Sequence, residues 1–319
     1  MSAAALPVQA PIFVAGHRGM VGSALVRALQ ASGHKHIVTR SRHQLDLCDA
    51  AAVDAFLAEQ RPAYVFVAAA KVGGILANQS QPADFLQQNL QIAVNLIGGA
   101  HRAGVQRLMY FASNCVYPRE CVQPMPESAL LSGPLEPTNE AYAVAKIAGL
   151  QLCDAHRRQH GRDYVTVLPA SLYGPNDNYT PGHSHVLPAL LRRAHEARER
   201  GDAELVVWGS GTPRREFLYV DDLAQACVML AESGYAGPPL NIGWGADLSI
   251  RELAETVVET VGFRGRLVFD ASKPDGMPRK LLDSARVRAL GWRPRVDLRE
   301  GLRRAYAVAP WRHAPVTLA

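Results

Sequence analysis

The stretch Ile12-Phe-Val-Ala-Gly-His-Arg-Gly-Met-Val-Gly22 decides the fold. Its first four residues are a short apolar run stopped by glycine, the pattern of a strand buried on both faces. Ser23-Ala-Leu-Val-Arg-Ala-Leu29 follows with helical periodicity. Strand, glycine turn and helix in that order predict an α/β protein with a doubly wound parallel sheet. In such a turn Gly16, Gly19 and Gly22 let the backbone approach a pyrophosphate. His17, Arg18, Met20 and Val21 complete the segment at the helix N-terminus, where the dipole favours negative charge. A bare GxxGxxG is weak; after the first strand and opening the first helix, it is specific.

Working outward, the second predicted strand is Ile37-Val-Thr39, and its end selects the nucleotide. NAD sites usually carry Asp or Glu there to hold the ribose hydroxyls. Here Arg40-Ser-Arg42 stands instead, which suits the 2′-phosphate of NADP, with Arg18 adding to the clamp. Asp46-Leu47 falls at an adenine contact. The sheet is therefore read as Rossmann-like with NADP as cofactor.

Composition narrows the class. The 319 residues suffice for one large or two modest domains, with 48% hydrophobic and 20% charged residues and a formal charge of +5. No basic block with interleaved aromatics occurs, which argues against nucleic acid as a partner. Scattered arginines suit a phosphorylated small molecule. No apolar run approaches the roughly 20 residues that cross a bilayer. Five cysteines without a CxxC pair, and no secretory segment, predict free thiols in a reducing compartment, the cytoplasm. Residues 1–11 read as a short flexible leader.

The chemistry is read from two further stretches. In Asn139-Glu-Ala-Tyr-Ala-Val-Ala-Lys146, Tyr142 and Lys146 lie just over one helical turn apart and share a face. A lysine beside a tyrosine is expected to lower the phenol pKa and make it a proton donor and acceptor. Ser113-Asn-Cys-Val-Tyr-Pro118 follows the apolar run Arg107-Leu-Met-Tyr-Phe-Ala112, at the carboxyl end of a predicted strand, where ligands of open parallel sheets bind. Ser113 is a candidate to hydrogen-bond a substrate carbonyl. Cys115, on the same tip, is either a small buried hydrophobe or a thiol that moves protons. Cys48, Cys121, Cys153 and Cys227 are read as structural. His183-x-His185 lacks a third ligand, so no metal is expected.

Elsewhere the pattern predicts helices over 50–60, 82–103, 140–159, 187–199 and 249–261, the last capped by Ser249. Strands are expected over 64–70, 164–168, 205–208 and 240–243. Residues 273–280 read as an exposed, turn-rich loop. Prolines and glycines thicken after Tyr173, which predicts a domain change. Residues 1–174 with about 217–245 are assigned to an NADP-binding domain, and 175–216 with 246–319 to a smaller α/β substrate-binding domain.

These residues together resemble the extended short-chain dehydrogenase/reductase family over about residues 12–292. Its specific stretches are GHRGMVG from Gly16, AAAKVGGI from Ala68, SNCVYP from Ser113 and LEPTNEAYAVAKIAG from Leu135. GHSHV from Gly182, VVWGSGTPRREF from Val206 and FDASKPDGMPRKLLD from Phe269 point to the branch acting on GDP-linked keto-sugars. The resemblance implies that Ser113, Tyr142 and Lys146 form the catalytic triad, with Cys115 and His185 as epimerisation groups. It implies cofactor contacts from Phe111, Ala112, Ser113, Asn114, Lys146, Pro169, Ala170, Ser171, Leu172 and His185. Arg193, Trp208, Arg215, Asp275 and Lys280 fall where the family contacts the GDP-sugar. The implied activity is inversion at C3 and C5 of a 4-keto sugar, followed by NADPH-dependent reduction at C4. The alternatives are inversion at C5 alone, plain 4-reduction, or a non-catalytic NADP sensor. Pairing of helices 82–103 and 140–159 into a homodimer is likewise implied by the resemblance.

Overall fold

The computed structural model describes residues 6–273 and 275–312. Residues 1–5, the first part of the expected leader, lie outside the described part, as do Pro274 and 313–319. The chain opens with β1 (Ile12–Ala15), α1 (Met20–Ala31), β2 (Ile37–Val38), α2 (Ala50–Gln60) and β3 (Tyr64–Val67). It continues through α3 (Ile75–Ser80), α4 (Pro82–Arg102), β4 (Arg107–Phe111), α5 (Glu140–His160) and β5 (Asp163–Pro169). With β10 (Leu240–Ile242), these strands make a six-stranded sheet in the order β10-β5-β4-β3-β1-β2. Every pairing in it is parallel. Ile12, Val14, Val65, Phe66, Val67, Leu108 and Met109 are wholly buried, as expected of strands covered by helices on both faces.

The strand order turns back at β1, because β1 lies between β2 and β3. That reversal opens a crevice beyond the carboxyl ends of β1 and β3. β3 stops at Val67, short of the expected residue 70. The glycine turn crosses it there: a Cβ on Gly16 would lie 2.7 Å from the Ala69 nitrogen. The crossing backbone ends the strand pairing and leaves residues 68–74 to line the crevice.

The remainder forms a second apolar core. It is built from β6 (Ser171–Tyr173), α6 (Val186–Arg200), β7 (Glu204–Trp208), β8 (Arg214–Arg215), β9 (Phe217–Tyr219), β11 (Leu248–Ser249) and α8 (Ile250–Val261), whereas α7 (Val220–Glu232) packs into the core of the large sheet beside α1. β12 (Arg266–Asp270), β13 (Arg279–Lys280), α9 (Ala285–Ala289) and α10 (Leu298–Ala307) complete the fold. Leu187, Leu191, Val207, Leu253, Val257 and Leu302 are central to this core. Ser249 caps α8 in a full capping box with Glu252, the role its position predicts.

Packing does not follow the expected boundaries. Met277, Leu282, Val287 and Trp292 join the core of the large sheet, although 246–319 was assigned to the other domain. Tyr173, Phe217 and Tyr219 join the second core, while Leu218 and Val220 join the first. A strand whose side chains alternate between two faces belongs to both cores, which a linear boundary cannot express. The expected loop 273–280 is also corrected. It ends in β13, with Met277 and Lys280 buried at 3% and 8% exposure. β13 is only two residues long and lies parallel to β8; so short a strand has no periodicity to read.

Candidate active site

At the first βα turn, Gly16 has φ +86° and a Cβ on Gly22 would meet Gly16 O at 2.2 Å. Both positions require glycine for the turn to fold onto itself. Gly19 caps α1 without a side-chain hydrogen bond, and the first turn holds no acidic residue. The N-terminal N–H groups thus face the crevice beside a positive dipole end. The His17 ring hydrogen-bonds the Arg40 backbone, which ties the turn to the end of β2; burial and the Arg18 charge lower the His17 pKa. Arg18 and Arg42 are exposed. The Arg40 guanidinium lies 5.2 Å over the Phe56 ring and donates to Thr39 O. The Asp46 carboxylate accepts from Cys48 N at 3.0 Å. It closes its own turn at the position expected to meet the adenine. A glycine cradle that excludes a Cβ, an uncapped helix N-terminus and cations at the end of β2 fit a phosphorylated dinucleotide.

The candidate reacting groups gather beyond β4. Ser113 caps the short 3₁₀ turn Asn114–Val116 and accepts from Cys115 N at 3.3 Å. Its hydroxyl also hydrogen-bonds the Tyr142 phenol. Phe85, from α4, meets the Tyr142 ring edge-on at 6.5 Å and fixes its plane. Lys146 is 3% exposed and donates to Phe111 O at 2.8 Å. Its ammonium lies 4.9 Å over Tyr110 and 5.8 Å from the Tyr142 ring centre.

The expected direction of the phenol shift is overturned. Burial pushes the Tyr142 pKa up, the proximity of Cys115 adds to it, and the Ser113 hydrogen bond only partly opposes this. Burial also lowers Lys146 to about 7. In a closed apolar setting desolvation outweighs a cation more than 5 Å away. Tyr142 is therefore held as the neutral phenol, a proton donor.

Cys115 is clasped rather than merely packed. Asn139 Nδ2 donates to its sulfur at 3.2 Å and the Lys280 ammonium lies at 3.6 Å. Two donors aimed at one sulfur suit it as an acceptor. Asn139 escaped the sequence reading because an Asn opening a helix reads as an N-cap. It holds that position without capping, and reaches Cys115 instead. Lys280 also faces His185, whose pKa is lowered by burial first and by the Lys280 charge second. The His185 residue is exposed, but into the cleft, whose walls and the ammonium together favour the neutral imidazole. It opens α6 behind His183, whose carbonyl accepts from Gly74 N at 2.9 Å. That bond docks the histidine loop on residues 68–74.

The sugar-side candidates separate into two groups. Arg215 and Lys280 are direct partners across β8 and β13, as are Arg214 and Arg279. Asp247 bridges Arg214 and Arg279. Burial raises the Asp247 pKa, but bonds from both arginines outweigh it and hold the carboxyl below its usual value. Among the described residues, Arg215 and Lys280 make no ion pair; burial lowers the Arg215 pKa. Two unneutralised cations side by side repel, and an anion between them would relieve that. Trp208 is 50% exposed, with Lys273 5.7 Å over its ring. It is available for stacking. By contrast, Asp275 accepts from Ser210 N and Oγ, both at 2.8 Å, and holds the glycine turn. Arg193 donates to Val206 O, and burial lowers its pKa. Arg193 and Asp275 thus each spend part of their hydrogen-bonding capacity within the protein. The neighbouring Arg192 pairs with Glu196 at 2.6 Å.

Phe111, Ala112 and Asn114 are buried around Ser113, and Pro169–Leu172 run from the last residue of β5 onward on the same edge of the sheet. Ala170 N donates to Ile242 O at 3.0 Å. These segments border the crevice as backbone walls.

Gly22→Ala offers a direct check on the cradle. The new methyl would force apart the turn that carries the free N–H groups. NADPH affinity should fall at least about 100-fold, roughly 2.7 kcal/mol. Fluorescence titration of the nucleotide would show it, and unchanged affinity would rule the cradle out.

A model of the NAD dependent epimerase/dehydratase family matches residues 12–243. GDP-L-fucose synthase 1 of Arabidopsis thaliana is 55% identical over 297 residues, 93% of this chain and 92% of its own length. GDP-L-fucose synthase of Escherichia coli (strain K12) is 53% identical over 304 residues, 92% and 95% of the two chains. The crystal structure of a GDP-L-fucose synthetase from Naegleria fowleri bound to NADP superposes with TM-score 0.86 at 28% identity, covering 96% of this chain and 94% of that one.

Proposed function

The chain belongs to the NAD dependent epimerase/dehydratase family, and from that premise we propose that it converts GDP-4-keto-6-deoxy-D-mannose to GDP-L-fucose with NADPH. The observation that carries this is the Cys115 sulfur, held by Asn139 and Lys280 beside the Ser113–Tyr142 pair. A plain ketone reductase has no use for a clasped thiol. An enzyme that inverts the carbons flanking the ketone needs a base there.

The ketone at C4 acidifies the C–H bonds at C3 and C5. Cys115 takes a proton from the ring and His185 returns one from the other face. Ser113 and Tyr142 donate hydrogen bonds to the C4 oxygen and stabilise the enolate charge as it develops. Bound NADPH supplies the hydride for C4. Tyr142 then gives its proton to the same oxygen, and Lys146 holds the nicotinamide ribose. Arg215 and Lys280 neutralise the diphosphate, and Trp208 stacks on the guanine. Arg193 and Asp275 shape the same pocket after releasing Val206 O and Ser210. Arg18, Arg40 and Arg42 receive the 2′-phosphate.

The two apolar cores are read as a nucleotide unit and a sugar unit that meet at β9. A homodimer is proposed through α4 and α5, which leave Val94 and Val144 54% and 42% exposed. Among the described residues no helix is long and apolar enough to cross a membrane. The five free cysteines suit the reducing cytoplasm.

Incubation with the keto-sugar in deuterium oxide tests the reading. Label should enter at both C3 and C5. Label at C5 alone would replace double inversion by the single-epimerising alternative. No label with NADPH still consumed would leave a plain reductase, and no consumption at all a sensor.

A further inference from the structure

We propose that His101, His156 and His160 form a binding site for a divalent first-row transition metal such as zinc, contrary to the absence of metal expected from sequence. One ring nitrogen from each histidine lies within 4.8 Å of the others. His101 ends α4, and His156 and His160 are one turn apart at the end of α5. That spacing places both of the latter on one helix face, where two imidazoles can converge. The rings are already gathered: His101 and His160 stack at 4.3 Å, and His101 and His156 lie at 4.6 Å.

Three further features suit a cation. Metal ligation needs neutral imidazole, and burial first, with neighbouring cationic groups second, lowers the pKa of His101 and His156. His156 Nδ1 is buried without a hydrogen-bond partner, which an ion would satisfy. Both helices run back from the carboxyl edge of the sheet, so two negative dipole ends meet at this spot. Tetrahedral zinc with Zn–N bonds of about 2.0–2.1 Å sets nitrogens about 3.3 Å apart. Closing from 4.8 Å asks only for rotation of the partly exposed rings. The fourth ligand would be water. With Tyr142 in the first turn of α5 and His160 at its end, the site is roughly 27 Å from the reacting groups at 1.5 Å per residue.

Arg162 opposes the ion. Its Nε donates to His101 Nδ1 at 3.1 Å. Neither nitrogen of His101 can ligate while that bond lasts: Nδ1 has its lone pair engaged, and a neutral ring accepting there carries its proton on Nε2. Metal entry therefore displaces the Arg162 head, which in this structure also donates to Gln106 Oε1 at 3.0 Å and the His101 carbonyl at 3.4 Å.

The experiment titrates the chelator-stripped full chain with zinc chloride against a competing chromophoric indicator, with cobalt(II) absorption as a second readout. One equivalent should bind at micromolar concentration or below, and cobalt should give the visible bands of a tetrahedral nitrogen-rich site. His160→Ala, at an exposed position, should weaken binding about 100-fold, with thermal melting confirming the fold. Arg162→Ala should tighten it about tenfold. Cys115→Ser should leave it unchanged. Undiminished affinity in His156→Ala/His160→Ala, loss of the bound ion in Cys115→Ser, or no tightening in Arg162→Ala would each overturn the assignment.

Discussion

Replacing Tyr142 with phenylalanine should lower turnover at C4 about a thousandfold or more, with KM for the keto-sugar changed only a few-fold. In the proposed mechanism the phenol stands at the one oxygen that both half-reactions charge. Its loss removes a hydrogen bond to the enolate, which in comparable sites costs about 100- to 1000-fold. It also removes the proton that completes reduction, which general acid catalysis values at about 100- to 10,000-fold. The ring stays, because Phe85 packs against it edge-on, so the pocket should keep its shape. Stopped-flow loss of NADPH absorbance measures the hydride step, and a variant within tenfold of the parent would remove Tyr142 from the mechanism. The pH profile supplies a second check. Burial keeps the phenol protonated through the neutral range and lowers Lys146 to about 7 in the free enzyme. Rising pH should therefore weaken NADPH binding near 7, as Lys146 loses its charge, before the phenol ionises.

Cys115→Ser should slow deuterium exchange at the ring carbons about 100- to 1000-fold while sugar binding stays within a few-fold. A serine hydroxyl fits the clasp of Asn139 and Lys280 but is a far weaker base than a thiolate. Exchange is the decisive readout because it isolates proton removal from hydride delivery. Parental exchange in this variant would place the base elsewhere. Retained NADPH consumption together with lost exchange would separate the two half-reactions on one scaffold.

Much of this site was legible in the chain itself. The glycine turn, the Tyr142–Lys146 spacing and Ser113 at a strand end each follow from local rules, since strand, turn and helix are short-range patterns. The parallel sheet follows from the same alternation. The role of Asn139 was not legible, because its partner is the sulfur of Cys115, 24 residues away. Lys280 was placed in an exposed loop because the two-residue β13 has no pattern of its own.

The linear order of residues therefore determined the large sheet, the glycine turn and the candidates for the reacting groups. Folding alone decided the charge states and the company those groups keep. It buried Lys146 and Tyr142 so that desolvation, not their proximity, sets their protonation. It also paired β8 with β13, which puts Arg215 and Lys280 side by side and brings Lys280 to Cys115 across 165 residues. Burial and long-range pairing depend on the whole chain at once, and no local stretch encodes them.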